Sequence, residues 1–225
     1  MKLCTFSMLM LMVFGIVLWT RAQTSTIKND IAEGDFVSLE AKGADILKGS
    51  SYRLTRKFEY FEVRGKPGRI FESSLKEVIQ PNKWRTIEEK EYDGKQTKEE
   101  RLWDGKALYI RNNDGEWGKF SGGSSGGGRI ESGQVTKRHR YLGKVDLSGV
   151  STGLYEIEML RVANKFSANS MVVVRYLRKT LYWYSVEGKL LKKVEENMIE
   201  GREEQNRETT IIEYDPKITI EAPIN

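Results

Sequence analysis

The chain has 225 residues, with 37 Lys and Arg against 32 Asp and Glu for a formal net charge of +5, one Cys and one His. That length suits a single domain that stabilises itself by its own core. Acids and bases are interspersed, which excludes the basic block of a nucleic-acid binder, and one Cys with one His excludes a Cys/His transition-metal cluster.

The chain opens with Met1-Lys2, an apolar run over 9–18, and Thr20-Arg21-Ala22. A short basic start, a short apolar stretch and a small-x-small ending are the pattern of a secretory leader. Residues 1–22 therefore read as a signal peptide and 23–225 as one exported domain, periplasmic in placement. The apolar run is short for a membrane span, so an uncleaved anchor is the second reading. Cys4 precedes that run and is not placed as the acylated cysteine of a lipoprotein, so the exported chain keeps no cysteine. Losing Lys2 and Arg21 lowers the net charge by two, from +5 to +3. No Asn-x-Ser/Thr sequon occurs, in keeping with a bacterial envelope.

Residues 23–30 are polar and read as a frayed start. Phe36, Leu39, Ile46 and Leu47 then recur at helical spacing, with Asp35 at the start and Gly49 at the end. This predicts one amphipathic helix over 35–48. From Ser51 the period changes to two. Tyr52, Leu54, Phe58 and Tyr60 alternate with Arg53, Thr55, Lys57 and Glu59; Phe71, Ser73, Leu75 and Ile79 alternate with Glu72, Ser74 and Lys76. Turns fall at Gly65-Lys66-Pro67-Gly68, Pro81-Asn82, Asp93-Gly94, Asp104-Gly105 and Asn113-Asp114-Gly115. Strand-like runs separated by such turns describe an antiparallel meander with one solvated and one aromatic face.

Segment 121–128 is all Gly and Ser and reads as a mobile loop. Segment 129–149 has no clear period and contains the basic cluster Lys137-Arg138-His139-Arg140, a surface feature suited to an anionic headgroup or acidic partner. Strands are predicted over 154–163 and 171–177. Thr180 to Glu196 then reads as a hairpin turning on Glu187-Gly188, where Gly accepts a positive φ. Pairing Val186 with Lys189 sets Leu181, Trp183 and Ser185 beside Val194, Lys192 and Leu190, with a cation–π contact between Trp183 and Lys192. Tyr182, Tyr184, Val186 and Leu191 fall on the opposite face. Both faces of the first strand are therefore apolar, and either it is plain core or one face lines a ligand cavity. A polar connection over 198–207 and a last long strand over 209–214 follow, Asp215-Pro216 bends the chain, and 218–222 finishes it.

Catalytic chemistry has little support. Gly122-Gly123-Ser124-Ser125-Gly126 matches the nucleophile pattern G-x-S-x-G, but no helix pattern follows it. His139 and Asp146 complete a triad on paper only. Glu88-Glu89 and Glu99-Glu100 occupy neighbouring strand positions, so each pair splits between faces and reads as solvated. Asp104 and Asp114 lack the alternating oxygen ligands of a calcium loop. The chain reads as no enzyme, with no metal and no cofactor.

Three pieces together resemble the LolA-like superfamily of exported lipoprotein carriers and lipid-binding proteins. They are Leu102-Trp103-Asp104-Gly105-Lys106-Ala107-Leu108-Tyr109-Ile110, the hairpin Leu181-Tyr182-Trp183-Tyr184 with Glu187-Gly188-Lys189-Leu190-Leu191-Lys192-Lys193, and the ending Glu213-Tyr214-Asp215-Pro216-Lys217-Ile218. The resemblance implies a mainly antiparallel β fold with a few α-helices. That fold is an unclosed, strongly curved half-barrel, capped by helices, whose concave face holds acyl chains of lipids or lipoproteins. The cavity residues expected on this basis are Tyr52, Leu54, Phe58, Phe71, Leu75, Trp103, Leu181, Trp183, Leu190 and Val194. A carrier of this kind is expected to be a monomer whose further partner is an envelope membrane protein. The rival expectation is an envelope-sensing interaction module of the same fold that carries no cargo.

N-terminal sequencing of the exported protein is expected to start at Gln23, and a retained Met1 would refute the leader.

Overall fold

The computed structural model describes residues 29–63, 68–92, 94–120, 134–167 and 170–223. Residues 1–22, expected to form the leader, most of the turn at 65–68 and the Gly/Ser segment 121–128 with its G-x-S-x-G matches lie outside the described residues.

Twelve antiparallel strands form one sheet. They are β1 (Asn29–Asp30), β2 (Tyr52–Phe61), β3 (Arg69–Ile79), β4 (Lys83–Tyr92), β5 (Lys95–Trp103), β6 (Leu108–Asn112), β7 (Gly118–Phe120), β8 (Gln134–Leu147), β9 (Val150–Ser167), β10 (Ser170–Ser185), β11 (Leu190–Ile199) and β12 (Gln205–Tyr214). Their order across the sheet is β1-β8-β9-β10-β11-β12-β2-β3-β4-β5-β6-β7. Two meanders, β2 to β7 and β8 to β12, are thus joined by the pairing of β12 with β2. The end strands β1 and β7 do not pair with each other, so the half-barrel is unclosed. One helix, α1 (Glu33–Gly49), caps it. The fold is the antiparallel half-barrel that the resemblance implies, with a single helix among the described residues in place of several.

The helix forms where the spacing predicts it, two residues earlier at its start. Its N-cap is Ala32, without a side-chain cap, and Asp35 stands inside the first turn with Glu33, where the helix dipole favours acidic charge. Phe36 is the anchor, 1% exposed. Its ring meets His139 at 5.6 Å, Tyr155 at 6.1 Å, Tyr182 at 5.2 Å and Tyr184 at 6.5 Å. Leu39 and Leu190 pack on the same cluster. Gly43 is the point of closest approach. A Cβ there would lie 3.0 Å from the Tyr184 ring and 3.3 Å from the Gly188 carbonyl oxygen, so the helix crosses the hairpin because this residue has no side chain.

These contacts define which face the helix covers. Tyr182 and Tyr184 point at α1, so Trp183 between them points away. Following the register from strand to strand carries this assignment across the sheet.

Segment 129–149 proves to contain the 14-residue strand β8. Its period is hidden because alternate residues are basic. Lys137 and His139 lie on the helix side. Arg138 and Arg140 lie on the other, held by Asp30, Glu156 and Glu158. The polar connection expected over 198–207 shortens to a turn at 200–204, since β11 and β12 extend into it. No helix among the described residues is long and apolar enough to cross a membrane.

Phe36→Ala is expected to cost about 3–5 kcal/mol of stability. Val37→Ala, at a 52%-exposed neighbour, should change it by less than about 0.5 kcal/mol. Denaturant midpoints of the two variants check this.

Candidate functional site

The hairpin expected to organise a cavity closes differently from the predicted register. Ser185 N–H donates to the Lys189 carbonyl at 2.9 Å, and Gly188 N–H donates to the Ser185 carbonyl at 2.9 Å. Gly188 has φ +92°. The loop therefore has three residues and not two, a four-residue turn from Ser185 that ends on the left-handed Gly188. Leu181 still faces Val194 and Trp183 faces Lys192, but a register shift then places Leu190 opposite Tyr184. Leu190 thus joins the helix side, and the predicted grouping of Leu190 with Trp183 is corrected. The expected cation–π contact is present, with Lys192 Nζ 4.9 Å from the Trp183 ring.

The ten expected cavity residues divide between the two faces. Tyr52, Leu54 and Phe58 on β2, Trp103 on β5 and Leu190 on β11 stand on the helix side. Phe71 sits at a register shift and meets Phe58 edge-on at 4.7 Å. Leu75, Leu181, Trp183 and Val194 stand on the side away from α1. The period-two pattern sorts them correctly along β2 and β10, whereas Leu190 and Val194 on β11 fall on opposite faces and Phe71 sits at a shift on β3.

At the helix end of this face the rings are sealed from water. Burial pushes the Tyr182 hydroxyl up to about 12, with the negative charge of Glu40 adding to it. Tyr184, Tyr52 and Tyr214 are also raised, chiefly by burial.

The opposite end of the same face is open. A cavity of about 380 Å³ lies there, between β9, β10, β11, β12 and β2. Tyr60, Met159, Tyr176 and Ile199 supply its apolar wall. Arg161, Arg178, Asn197 and Asn206 add polar groups from the same face, and Arg202 and Glu204 come from the 200–204 turn. Along β10 the cavity lies four or more residues from Tyr182, roughly 13 Å at about 3.3 Å per residue. None of the ten expected residues lines it. Phe71 lines a separate groove of about 440 Å³ shared with Glu72, Lys90 and Lys98. The residues missed were legible as alternation in Tyr176-Leu177-Arg178, but arginines at alternate positions read as a solvated edge.

The chemical candidates find structural employment. Asp104 Oδ1 accepts 2.8 Å hydrogen bonds from the Lys106 and Ala107 N–H groups, closing its own turn. Asp146 accepts from Gly149 N–H, and His139 packs on Phe36. Glu100 is buried, contrary to expectation. Burial raises its pKa, but hydrogen bonds and charge from Arg111 and Lys98 outweigh this and hold it below the usual carboxylate range. No group of three metal-ligating side chains occurs among the described residues.

No protein-family model and no curated protein matches the chain. Among solved structures, LprF from Mycobacterium bovis is similar over 88% of this chain and 100% of its own, at 11% identity and a TM-score of 0.48. A LolA superfamily protein from Nitrosomonas europaea is similar over 79% of this chain and 92% of its own, at 11% identity and a TM-score of 0.28.

Tyr182 gives a test of the sealed end. The folded chain keeps its proton where the unfolded chain, near the ordinary value of 10.0, has lost it. That stabilisation is complete below about pH 10 and disappears as pH rises toward 12. Stability should therefore fall more steeply above pH 10 in the parent than in Tyr182→Phe, as measured by denaturation across that range.

Proposed function

We propose that this chain is an exported binding and carrier protein that holds acyl chains of lipids or lipoproteins on the helix-bearing face of its half-barrel. The observation that carries the reading is the open cavity of about 380 Å³ on that face, with Tyr60, Met159, Tyr176 and Ile199 in its wall. Its volume falls within the roughly 300–1,000 Å³ of small-molecule sites. Burial yields about 0.8 kcal/mol per CH₂, so capture of eight to ten methylenes at about 6–8 kcal/mol needs little polar chemistry. Leu54, Phe58 and Trp103, partly exposed on the same face, offer a longer chain further apolar surface. An interaction module that carries nothing would favour a closed core, and the open cavity speaks for the carrier. Cleavage after Ala22, a periplasmic location and a docking partner in the envelope membrane belong to the same proposal.

Native mass spectrometry of protein purified from its own envelope is expected to show a bound lipid at one or two acyl chains per protein. Ile199→Trp should fill the cavity and weaken fatty-acid binding about tenfold or more, with the denaturant midpoint little changed. A lipid-free protein that also fails to bind added fatty acid would overturn the carrier reading.

A further inference from the structure

We infer that the rim of the sheet at the β8–β9 and β10–β11 turns docks on an anionic bilayer, and that a small cavity behind it takes a lipid phosphate. The inference goes beyond the carrier reading and stands on a different part of the molecule. Ser185 on β10 pairs with Thr152 on β9, so Val186 and Val150 stand on neighbouring turns at one rim. Val186 is 83% exposed and Val150 45%. Between these turns and α1 lies a cavity of about 200 Å³, lined among others by Lys42, Lys144, Tyr141, Tyr155 and Ser151. Two cations and no carboxylate line it. Among the described residues neither Lys42 nor Lys144 makes an ion pair or a hydrogen bond. The carboxylates of the two turns are engaged elsewhere. Glu187 pairs with Lys189 at 3.1 Å, and Asp146 Oδ1 accepts from Gly149 N–H at 2.9 Å.

Two glycines shape the site. A Cβ at Gly188 would lie 2.9 Å from Lys42 Cδ and 3.3 Å from its Nζ, so the lysine stem lies over the hairpin backbone and carries its charge to the rim. A Cβ at Gly153 would lie 2.9 Å from the Tyr155 ring and 3.3 Å from its hydroxyl, so the space beside that tyrosine exists because Gly153 has no side chain. Lysine meets phosphate as a point charge, and tyrosine suits a membrane–water interface. A free anion would use the lysines and leave the valines in water. A protruding valine enters lipid without a shaped pocket, whereas a protein partner would have to supply one. The bilayer therefore answers both features of the rim. Along β10 the cargo cavity at Tyr176 and Arg178 lies eight or more residues from Val186, roughly 26 Å at about 3.3 Å per residue, so the two sites can be tested apart.

Flotation of the full exported chain with vesicles is the test. Vesicles of phosphatidylcholine with phosphatidylglycerol as about a third of the lipid are expected to bind it, and pure phosphatidylcholine about thirtyfold more weakly, at about fivefold for each lysine. Added salt should erode binding to the mixed vesicles. Lys42→Gln with Lys144→Gln should weaken it about thirtyfold, and Val186→Asp about tenfold. All three positions are exposed, so the fold should survive each change. Val186→Cys, in a chain from Gln23 that has no other cysteine, can carry a polarity-sensitive dye whose emission should shift to the blue on the mixed vesicles. Ile199→Trp, which fills the cargo cavity, should leave docking unchanged. Equal binding to both vesicles, a dye that stays in water, full competition by soluble glycerol phosphate, or docking lost in Ile199→Trp would overturn the membrane assignment and leave the carrier reading standing. Binding to polyaspartate with none to vesicles would overturn it in favour of an acidic protein partner.

Discussion

The insertion of Phe36 between His139, Tyr155, Tyr182 and Tyr184 decides which side of the sheet becomes the inside. A helix of this length is marginal alone, and α1 has no side-chain N-cap, so its stability comes from the face it covers. Backbone and side-chain bonds at the two ends add to the ring contacts. Ile31 N–H donates to the His139 carbonyl at 3.1 Å, and Gln80 Nε2 donates to the Lys48 carbonyl at 2.8 Å. The helix thereby spans from β8 to the loop after β3, across strands from both meanders. It covers one end of the inner face only, which is why the same face can be sealed at the tyrosines and open at the cavity.

The face away from α1 is organised by charge. Three glutamates there are nearly inaccessible, and each is held by bases on neighbouring strands. Arg53 and Arg85 flank Glu77, Lys98 and Arg111 flank Glu100, and Arg140 and Lys179 flank Glu156. Removing one base from such a trio leaves a buried carboxylate under-compensated, a far larger penalty than loss of a solvated pair. A strand slipped by one residue would send the glutamate to the helix side and its partners to the other, so the trios penalise wrong registers. The abundance of charge in the sequence is thus spent on register, and the apolar residues are left to form the inner face.

Much of this was legible from residue pattern. Period two marked β2 to β6, and four apolar positions marked α1 to within two residues at its start. What the pattern lacked was a sign. On β10 both Leu181-Trp183 and Tyr182-Tyr184 are apolar, so alternation separates the two sets without saying which meets a helix over 130 residues away in the chain. Phe36 settles it through a contact that no local pattern encodes. The misplacement of Leu190 has a smaller cause: a register shift between Trp183 and Tyr184, beside the three-residue turn, sends Leu190 to the helix side while Lys192 and Val194 keep their expected partners. β8 was hidden because its alternating faces are basic on both sides, one set paired to Glu156, Glu158 and Asp30. Arg161 and Arg178 escaped notice for the same reason, since a long basic side chain on a strand is ordinarily solvated.

The cavity also ties the site to the order of assembly. Its wall takes Met159 and Tyr176 from the second meander and Tyr60 from the first, and these meet only through the pairing of β12 with β2. Tyr60 stands opposite Asn206, nearly 150 residues later in the chain. Pairs so distant must absorb the entropy of closing a long loop before they gain anything, so they form late relative to hairpins such as β10–β11. Each meander can complete its local turns and ionic trios alone, but neither contains the whole cavity. The cavity therefore exists only in the fully joined sheet. A change that loosens the β12–β2 seam should damage the cavity before it damages either meander.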